Sequence, residues 1–204
     1  MKTKTLMLLS VVTLAFGAMA QAGSAAPYGR VGVDYTKFHT ASNFDYFPDW
    51  KVGFAIEGGV AFAGAHSLGI ELSRVEAKST VRGSPVFKTK KQQMPVLVTY
   101  KYTHAFNKTF SIYGGGAVGA MMDKYSLDTT NPTTTGSATN WIPAAGVVAG
   151  AEYTFGGGWC LAAGVRVLSV KQKAYKDIGT AGLVLNQEPT YARPTFTLGI
   201  GHKW

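Results

Sequence analysis

The sequence predicts an all-β protein, an eight-stranded antiparallel up-and-down β-barrel that spans a membrane and follows a cleaved signal peptide. Three observations support this prediction. Eight segments alternate between apolar residues and small or polar residues, the links between them are short or long in turn, and aromatic residues gather at both ends of the segments. A period of two indicates extended strands with two different faces, as in a barrel with an oily outside and a polar inside.

Residues 1–20 have the pattern of a secretory signal peptide. A basic region around Lys2 precedes an almost entirely apolar stretch that ends at Ala20. This stretch is too short to span a bilayer, which takes about 20 apolar residues. We therefore expect cleavage after Ala20, with Ala22 as the alternative site, and a single β-barrel domain over 21–204.

Eight predicted strands follow the signal peptide. They lie at 28–38, 50–63, 67–73, 92–106, 109–122, 141–155, 159–173 and 191–204. The fourth is the clearest, because Met94 and Val96 share one face and Gln93 and Thr99 share the other. In the third, the alternation breaks at Arg74, where the strand either leaves the bilayer or contains a β-bulge.

The links between the strands alternate in length. Three are short hairpin turns rich in Gly and Asn, which tolerate positive φ, and they lie at 64–66, 107–108 and 156–158. The other four are long and polar, and they lie at 39–49, 79–91, 123–140 and 174–190. Short turns on one side and long loops on the other are typical of an outer-membrane barrel, whose short turns lie in the periplasm.

Aromatic residues also separate into two groups. Beside the short turns and the C-terminus lie Phe62, Phe106, Phe110, Phe155, Trp159 and Trp204. Near the long links lie Phe38, Trp50, Tyr125, Trp141, Tyr175 and Tyr191. Amphipathic rings prefer the two interfaces of a bilayer, so the two groups predict two aromatic belts.

The last strand carries an apolar row that ends on an aromatic residue: Phe196, Leu198, Ile200 and Trp204. With the signal peptide, strands, turns and loops, this ending resembles the superfamily of small outer-membrane β-barrels, which includes the OmpA transmembrane domain, OmpX/Ail and the opacity proteins. Members usually end in Phe, and Trp204 keeps an aromatic residue there. The resemblance implies a place in the outer membrane. It also implies periplasmic chaperones and the barrel-assembly machinery as partners, with these four residues as the assembly signal.

Charges of both signs fall on the inward rows of the predicted strands. The candidates for the lumen are Arg30, Asp34, Lys51, Glu57, Glu71, Lys101, Glu152, Arg166 and Lys203. Eight strands enclose an interior that side chains can fill, and buried charges must pair or stay hydrated. We therefore expect a plug of salt bridges. The alternative is a narrow water-filled conduit, for which inward glycines such as Gly115 and Gly164 would leave room.

The second long link and its edges are basic. They contain Lys78, Arg82, Lys88, Lys90 and Lys91, with no acidic residue between the first and the last. A solvated loop explains much of this pattern. The sharper hypothesis is attraction to the phosphates of lipopolysaccharide, and lipopolysaccharide and outer-membrane lipid are the expected partners rather than nucleic acid.

The sequence contains no recognisable catalytic, cofactor-binding or metal-binding pattern. Its four His residues are scattered, and Gly-x-Ser-x-Gly and phosphate-loop motifs are absent. We therefore predict a non-enzymatic outer-membrane protein with a structural or surface-interaction role through its four long extracellular loops. One alternative is a small, low-conductance, porin-like diffusion channel. The other is a lipid-modifying enzyme, for which no catalytic group is evident around His66, Ser67 or His104.

Overall fold

The computed structural model describes residues 25–37, 50–81, 87–129, 135–171, 175–178, 183–185 and 190–204. Within these ranges lie ten strands: β1 Ala26–Lys37, β2 Trp50–Phe62, β3 His66–Val81, β4 Phe87–Ala105, β5 Phe110–Thr129, β6 Gly136–Phe155, β7 Trp159–Lys171, β8 Tyr175–Ile178, β9 Leu183–Leu185 and β10 Thr190–Lys203. The predicted signal peptide, the link at 39–49 and Arg82 lie outside the described residues. No described helix is long and apolar enough to cross a membrane.

Eight of these strands form a closed antiparallel barrel in the order β1-β10-β7-β6-β5-β4-β3-β2. The first and last of them close the cylinder, with Val31 opposite Ile200. The N–H of Trp204 then donates to the carbonyl of Pro27 at 3.0 Å and ties the C-terminus to the start of β1. This closure confirms the predicted fold class, and it removes the open sheet edge that a membrane cannot tolerate.

Local chemistry fixes the three tight turns. Gly64, Gly157 and Gly158 have φ values of 72°, 66° and 81°, a region that residues with a Cβ rarely adopt. In the turn between β4 and β5, the side-chain oxygen of Asn107 instead accepts a hydrogen bond from the backbone N–H of Thr109 at 2.8 Å. These turns therefore fall where glycine and asparagine predicted them.

Each strand of the barrel presents one face to the lumen and one to the surroundings. Leu198 is 65% exposed on the outside, whereas Leu97 is 1% exposed on the inside. The pairing of β3 keeps one register past Arg74, since Leu72 lies opposite Val96 and Val75 lies opposite Gln93. The break in the pattern at Arg74 is therefore no bulge, and it marks the point where the strand leaves the apolar zone.

Four strands are longer than predicted. β4, β5 and β6 contain 19, 20 and 20 residues, whereas about 10 residues suffice to span the hydrocarbon. The predicted links at 79–91 and 123–140 are thus largely strand, which corrects that prediction. We call residues 76–81, 87–92, 124–129 and 136–140 the protruding sheet, because they extend β3, β4, β5 and β6 at the end opposite the tight turns.

The sequence pattern hid these extensions for a physical reason. Along β5, Asp123 and Tyr125 face inward, and Lys124 and Ser126 face outward. The outward row turns polar here, whereas Tyr125 and Leu127 of the inward row are buried apolar side chains, so the pattern of an oily outward row and a polar inward row ends. The predicted link at 174–190 also contains regular structure, since β8 and β9 form a small separate sheet.

Part of β3 has a described neighbour on one side only. Its pairing with β2 ends at Gly53 and Val75, whereas its pairing with β4 continues to Val81 opposite Phe87. Sheet edges attract other strands, and charged side chains on an edge oppose that association. Glu76 and Lys78 supply such charges here.

Candidate functional site: a charged lumen and a basic outer face

Glu57 of β2 is the centre of the ion-pair network near the tight turns. Lys101 reaches it from β4, with Nζ at 2.6 and 2.7 Å from the two carboxylate oxygens. The hydroxyls of Tyr28 and Thr99 each donate to Oε1 at 3.0 Å, and Arg30 Nη1 lies 3.5 Å from Oε2. A buried carboxylate with this many donors stays charged without exposure to water.

Arg30 and Lys203 share a second carboxylate, Glu152 of β6. Arg30 Nη2 pairs with Oε1 of Glu152, and Lys203 Nζ lies 2.6 Å from Oε2. The Lys203 side chain is 38% exposed, whereas that of Glu152 is 5% exposed. The network therefore runs from the mouth beside the tight turns into the lumen.

Arg166 of β7 forms the next layer. Its Nη2 lies 3.3 Å from Asp34 Oδ2 and 3.3 Å from Ser73 Oγ, and its Nη1 pairs with Glu71. Thr197 donates to the other oxygen of Asp34 at 2.6 Å. Eight of the nine predicted lumen charges, all except Lys51, thus take part in these contacts inside the barrel.

The layer nearest the protruding sheet contains charged residues that were not predicted to face the lumen. Arg193 is 1% exposed, and its Nε donates to Oε1 of Gln93, across the barrel on β4, at 2.9 Å. Lys91 Nζ lies 3.9 Å from Asp123 Oδ2. Arg193 could have been found, because it lies on the same inward row as Thr195. Asp123 was hidden by its assignment to a loop.

Two tyrosines occupy the space that inward glycines leave, Tyr28 beside Gly69 and Tyr113 beside Gly150 and Gly164. The hydroxyl of Tyr113 lies so close to its two glycines that an added Cβ would collide with it. The same ring lies between two cations, with Arg30 at 5.6 Å and Lys101 at 5.0 Å from its centroid. These glycines therefore admit a large side chain, which favours the predicted plug over the alternative of a water-filled conduit at this level.

The wall formed by β4 to β7 is apolar where the ion pairs end. Its buried cluster contains Leu97, Ala117, Met121, Ile142, Ala144, Val148, Leu168, Val170 and Tyr191. Between the networks of Glu57 and Arg166 lies a cavity of about 40 Å³, room for about three water-sized groups. Side chains therefore fill most of the described lumen.

A second charged surface lies on the outside of β3, β4 and β5, beyond the last outward apolar residue of each strand. We call it the basic outer face, and it comprises Arg74, Lys78, Lys88, Lys90 and Lys124. Four residues of the predicted basic loop thus lie on strands, and three of them, Lys78, Lys88 and Lys90, belong to this face. The assignment of Lys91 to the basic loop is wrong, because the alternation along the strand points its side chain into the lumen, where the residue is 3% exposed.

Glu76 lies at the centre of the basic outer face. Lys90 Nζ is 3.0 Å, Lys78 Nζ is 3.3 Å and Arg74 Nη2 is 3.4 Å from its carboxylate oxygens. Burial raises the pKa of Glu76, but hydrogen bonds from Lys90 and Lys78 outweigh that effect and hold the pKa below its usual value. The carboxylate is therefore charged at neutral pH and organises the surrounding cations.

Aromatic residues mark both interfaces on the outside of the barrel, but Tyr125 and Tyr191 of the predicted belts are 8% and 7% exposed and face the lumen. At one end, the ring of Trp50 stacks on Tyr35 at 4.9 Å and contacts Phe196 at 5.7 Å. At the end with the tight turns, His66 belongs to the aromatic belt, with Nδ1 2.7 Å from the Tyr100 hydroxyl. This contact gives His66 a structural role in that belt.

Comparison with solved structures finds the same fold in other proteins. Neisserial surface protein A shares 16% sequence identity over 89% of this chain and 99% of its own, with a TM-score of 0.56. Ail of Yersinia pestis, solved with the heparin analogue sucrose octasulfate, shares 11% over 89% and 99%, with a TM-score of 0.58. A major outer membrane protein from Thermus thermophilus shares 13% over 88% and 100%, with a TM-score of 0.51.

The sequence comparison identifies the family. No curated protein matches the sequence. The family described as outer membrane protein beta-barrel domain, however, matches residues 8–201, nearly the whole chain. The closed eight-stranded barrel, its outward apolar rows and its filled lumen agree with that match. The chain therefore belongs to the family of outer membrane protein β-barrel domains and is a protein of the outer membrane.

Proposed function

We propose that the protein is a closed, non-enzymatic barrel that anchors the protruding sheet at the cell surface, where its basic outer face binds the phosphates of lipopolysaccharide. The position of the cations carries this proposal. Arg74 follows Leu72 on β3, and Lys124 follows Met122 on β5, each as the next outward residue after the apolar row. Residues at that point meet the headgroup region of the outer leaflet.

The charge balance of this face favours an anionic partner. Five cations face outward, whereas the carboxylates beside them are Glu76 and Asp128. The side chains of Lys78 and Lys90 are 73% and 42% exposed, so they remain accessible while they contact Glu76. Charge-assisted hydrogen bonds from lysine and arginine suit phosphate oxygens.

A structural relative also points towards polyanions. Ail, which has the same fold, was solved with a sulfated sugar, a compact ligand with many negative charges. At 11% identity the likeness extends only to the fold. It supports the proposal because a barrel of this shape has been found in complex with such a ligand.

The test is binding of lipopolysaccharide by the purified protein in nanodiscs of uncharged phospholipid. A variant with Lys78→Gln, Lys90→Gln and Lys124→Gln should bind at least about tenfold more weakly, since each lost phosphate contact removes on the order of 1 kcal/mol. The matched control changes Lys108, an exposed lysine in the tight turn between β4 and β5 at the opposite end of the barrel, to Gln and should bind normally. Equal binding by both variants, or equal binding of dephosphorylated lipid by the wild type, would contradict the proposal.

We further propose that export begins with cleavage after Ala20 and that the assembly machinery reads the last strand. The outward row of that strand supports this proposal, because Leu198 and Trp204 are 65% and 68% exposed on the lipid side of the barrel. The mass of the mature N-terminus tests the cleavage site. A mature chain that begins after Ala22 would select the alternative.

A further inference from the structure

The cations of the basic outer face occupy two separate positions. Arg74, Lys78 and Lys90 surround Glu76, and each lies within 3.4 Å of its carboxylate oxygens. This cluster therefore keeps a surplus of two positive charges. Lys124 stands apart on β5, and it forms no ion pair with any residue in the part of the chain that the structure describes. An anion can therefore approach it without displacing a carboxylate.

The pairing of the strands fixes the distance between these positions. Gln92 of β4 lies between them, because it is opposite Glu76 on β3 and opposite Lys124 on β5. Lys78 and Lys124 are two strands apart, and Lys78 lies one outward residue further from the membrane. Ordinary strand spacings place their Cα atoms about 12 Å apart. A ligand that reaches both positions must carry two anionic groups with a similar separation.

The outer end of the face suits an anion less. Lys88 of β4 lies directly opposite Asp128 of β5, and both residues are exposed. Here one carboxylate faces one cation, so no surplus of positive charge remains. The two favourable positions are therefore the cluster around Glu76 and Lys124, which lie nearer the apolar rows of the barrel.

We propose that these two positions bind the two phosphates of one molecule, the bisphosphorylated glucosamine disaccharide that forms the headgroup of lipid A. Its phosphates stand at opposite ends of two sugar rings, a span comparable with the separation of Lys78 and Lys124. The rings lie over Gln92, whose amide both donates and accepts hydrogen bonds. A ligand that engages both positions binds more tightly than one that engages either alone, because the second contact is intramolecular.

This inference rests on the proposed binding of lipopolysaccharide and names the part of that partner which the face recognises. It also assigns a role to Lys124 that the other cations of the face do not share. Lys124 is the second anchor, and its contribution depends on the second phosphate of the ligand. A single cluster of cations would respond to each phosphate without that dependence.

Binding of two purified forms of lipid A tests the two-point contact. The protein is held in nanodiscs of uncharged phospholipid and titrated with bisphosphorylated or monophosphorylated lipid A. The wild type should bind the bisphosphorylated form about fivefold more tightly, the effect of one additional phosphate contact. Lys124→Gln should bind both forms about equally. Lys88→Gln, which removes the same charge from the outer end of the same face, should keep the preference of the wild type.

The possible results separate this inference from the proposed function. A preference for the bisphosphorylated form that survives in Lys124→Gln would overturn the two-point contact. No preference in the wild type, while Lys78→Gln with Lys90→Gln still weakens binding, would overturn it as well and leave the proposed function standing. If the wild type binds neither form better than lipid A without phosphates, the proposed function fails and this inference fails with it. The comparison on the wild type does not depend on how any variant folds.

Discussion

Arg166 bridges three polar side chains from two other strands, Asp34, Glu71 and Ser73. Replacing it with Ala leaves two carboxylates buried without their cation. Loss of one partner of a buried pair costs about 3–5 kcal/mol. Arg166→Ala should therefore lower the free energy of unfolding by that amount, measured by urea titration of the protein folded in lipid vesicles.

A neighbouring residue on the same strand provides the control for this measurement. Val165 is 36% exposed on the outside of the barrel, and Val165→Ala removes two methyl groups from that outward row, so it should cost less than about 1 kcal/mol. If Arg166→Ala and Val165→Ala are equally mild, the ion pairs of the lumen do not hold the barrel together.

Glu76 controls the charge of the basic outer face. Its pKa lies below the usual value because Lys90 and Lys78 donate to it, even though burial acts in the opposite direction. The carboxylate is therefore charged at neutral pH. It becomes neutral, and no longer offsets the charge of the three adjacent cations, only as the pH falls through that lowered pKa. Lipopolysaccharide binding should consequently strengthen in acid.

Glu76→Gln reproduces the protonated state at neutral pH. This variant should bind lipopolysaccharide several-fold more tightly than the wild type and should lose the strengthening between neutral and acidic pH, as measured in the same nanodiscs. Weaker binding by Glu76→Gln would show instead that the carboxylate is needed to position Lys78 and Lys90.

The sequence located the lumen charges but not their partners. Glu57 and Arg30 lie on inward rows that a period of two reveals. The alternation of the sequence does not show which lumen cation pairs with Glu57. That pairing depends on how β2 and β4 face each other across the cylinder. Tyr113 was missed as a space-filling residue for the same reason, since its glycine neighbours lie on β6 and β7.

The last strand is the element on which closure depends. Leu198 lies opposite Val33 of β1 and faces the lipid, so Leu198→Asp places a charge in the hydrocarbon at a cost of roughly 2 kcal/mol. It also breaks the apolar row that ends at Trp204. This variant, and deletion of Trp204, should cross the inner membrane and then fail to insert, with degradation in the periplasm.

Membrane fractionation and heat-modifiable migration in gels measure this outcome. Thr197→Ser is the matched control, because its side chain points into the lumen and keeps its hydroxyl for Asp34. If the Leu198→Asp protein reaches the outer membrane in wild-type amount and remains heat-modifiable, the outward row of β10 does not act as an assembly signal.

At the scale of elements, the sequence predicted every membrane-crossing strand and missed only their extent beyond the bilayer. Alternation between oily and polar faces exists where one face meets lipid. Past Met122, β5 continues with Lys124 outside and Asp123 inside, and both positions are polar. The extension of β5 therefore depends on its backbone pairing with β4 and β6. The sequence of one strand alone does not show such pairing.

The molecule as a whole is a membrane-spanning cylinder whose interior is occupied. The Glu57 network and the Arg166 network fill the lumen together with the apolar cluster around Met121, which begins at the level of Arg166 because Val148 lies opposite it. Side chains fill most of the described lumen. This filling favours a function on the outer surfaces, where the basic outer face lies.

Single-channel recording on the refolded protein in planar bilayers tests this account most directly. The wild type should show no discrete conductance steps in concentrated potassium chloride, because its ion pairs and Tyr113 block the lumen. A variant with both Arg166→Ala and Tyr113→Ala should show small, reproducible steps, which demonstrates that the recording detects an opened barrel. Steady conductance steps by the wild type would contradict the closed lumen and establish the protein as a diffusion channel.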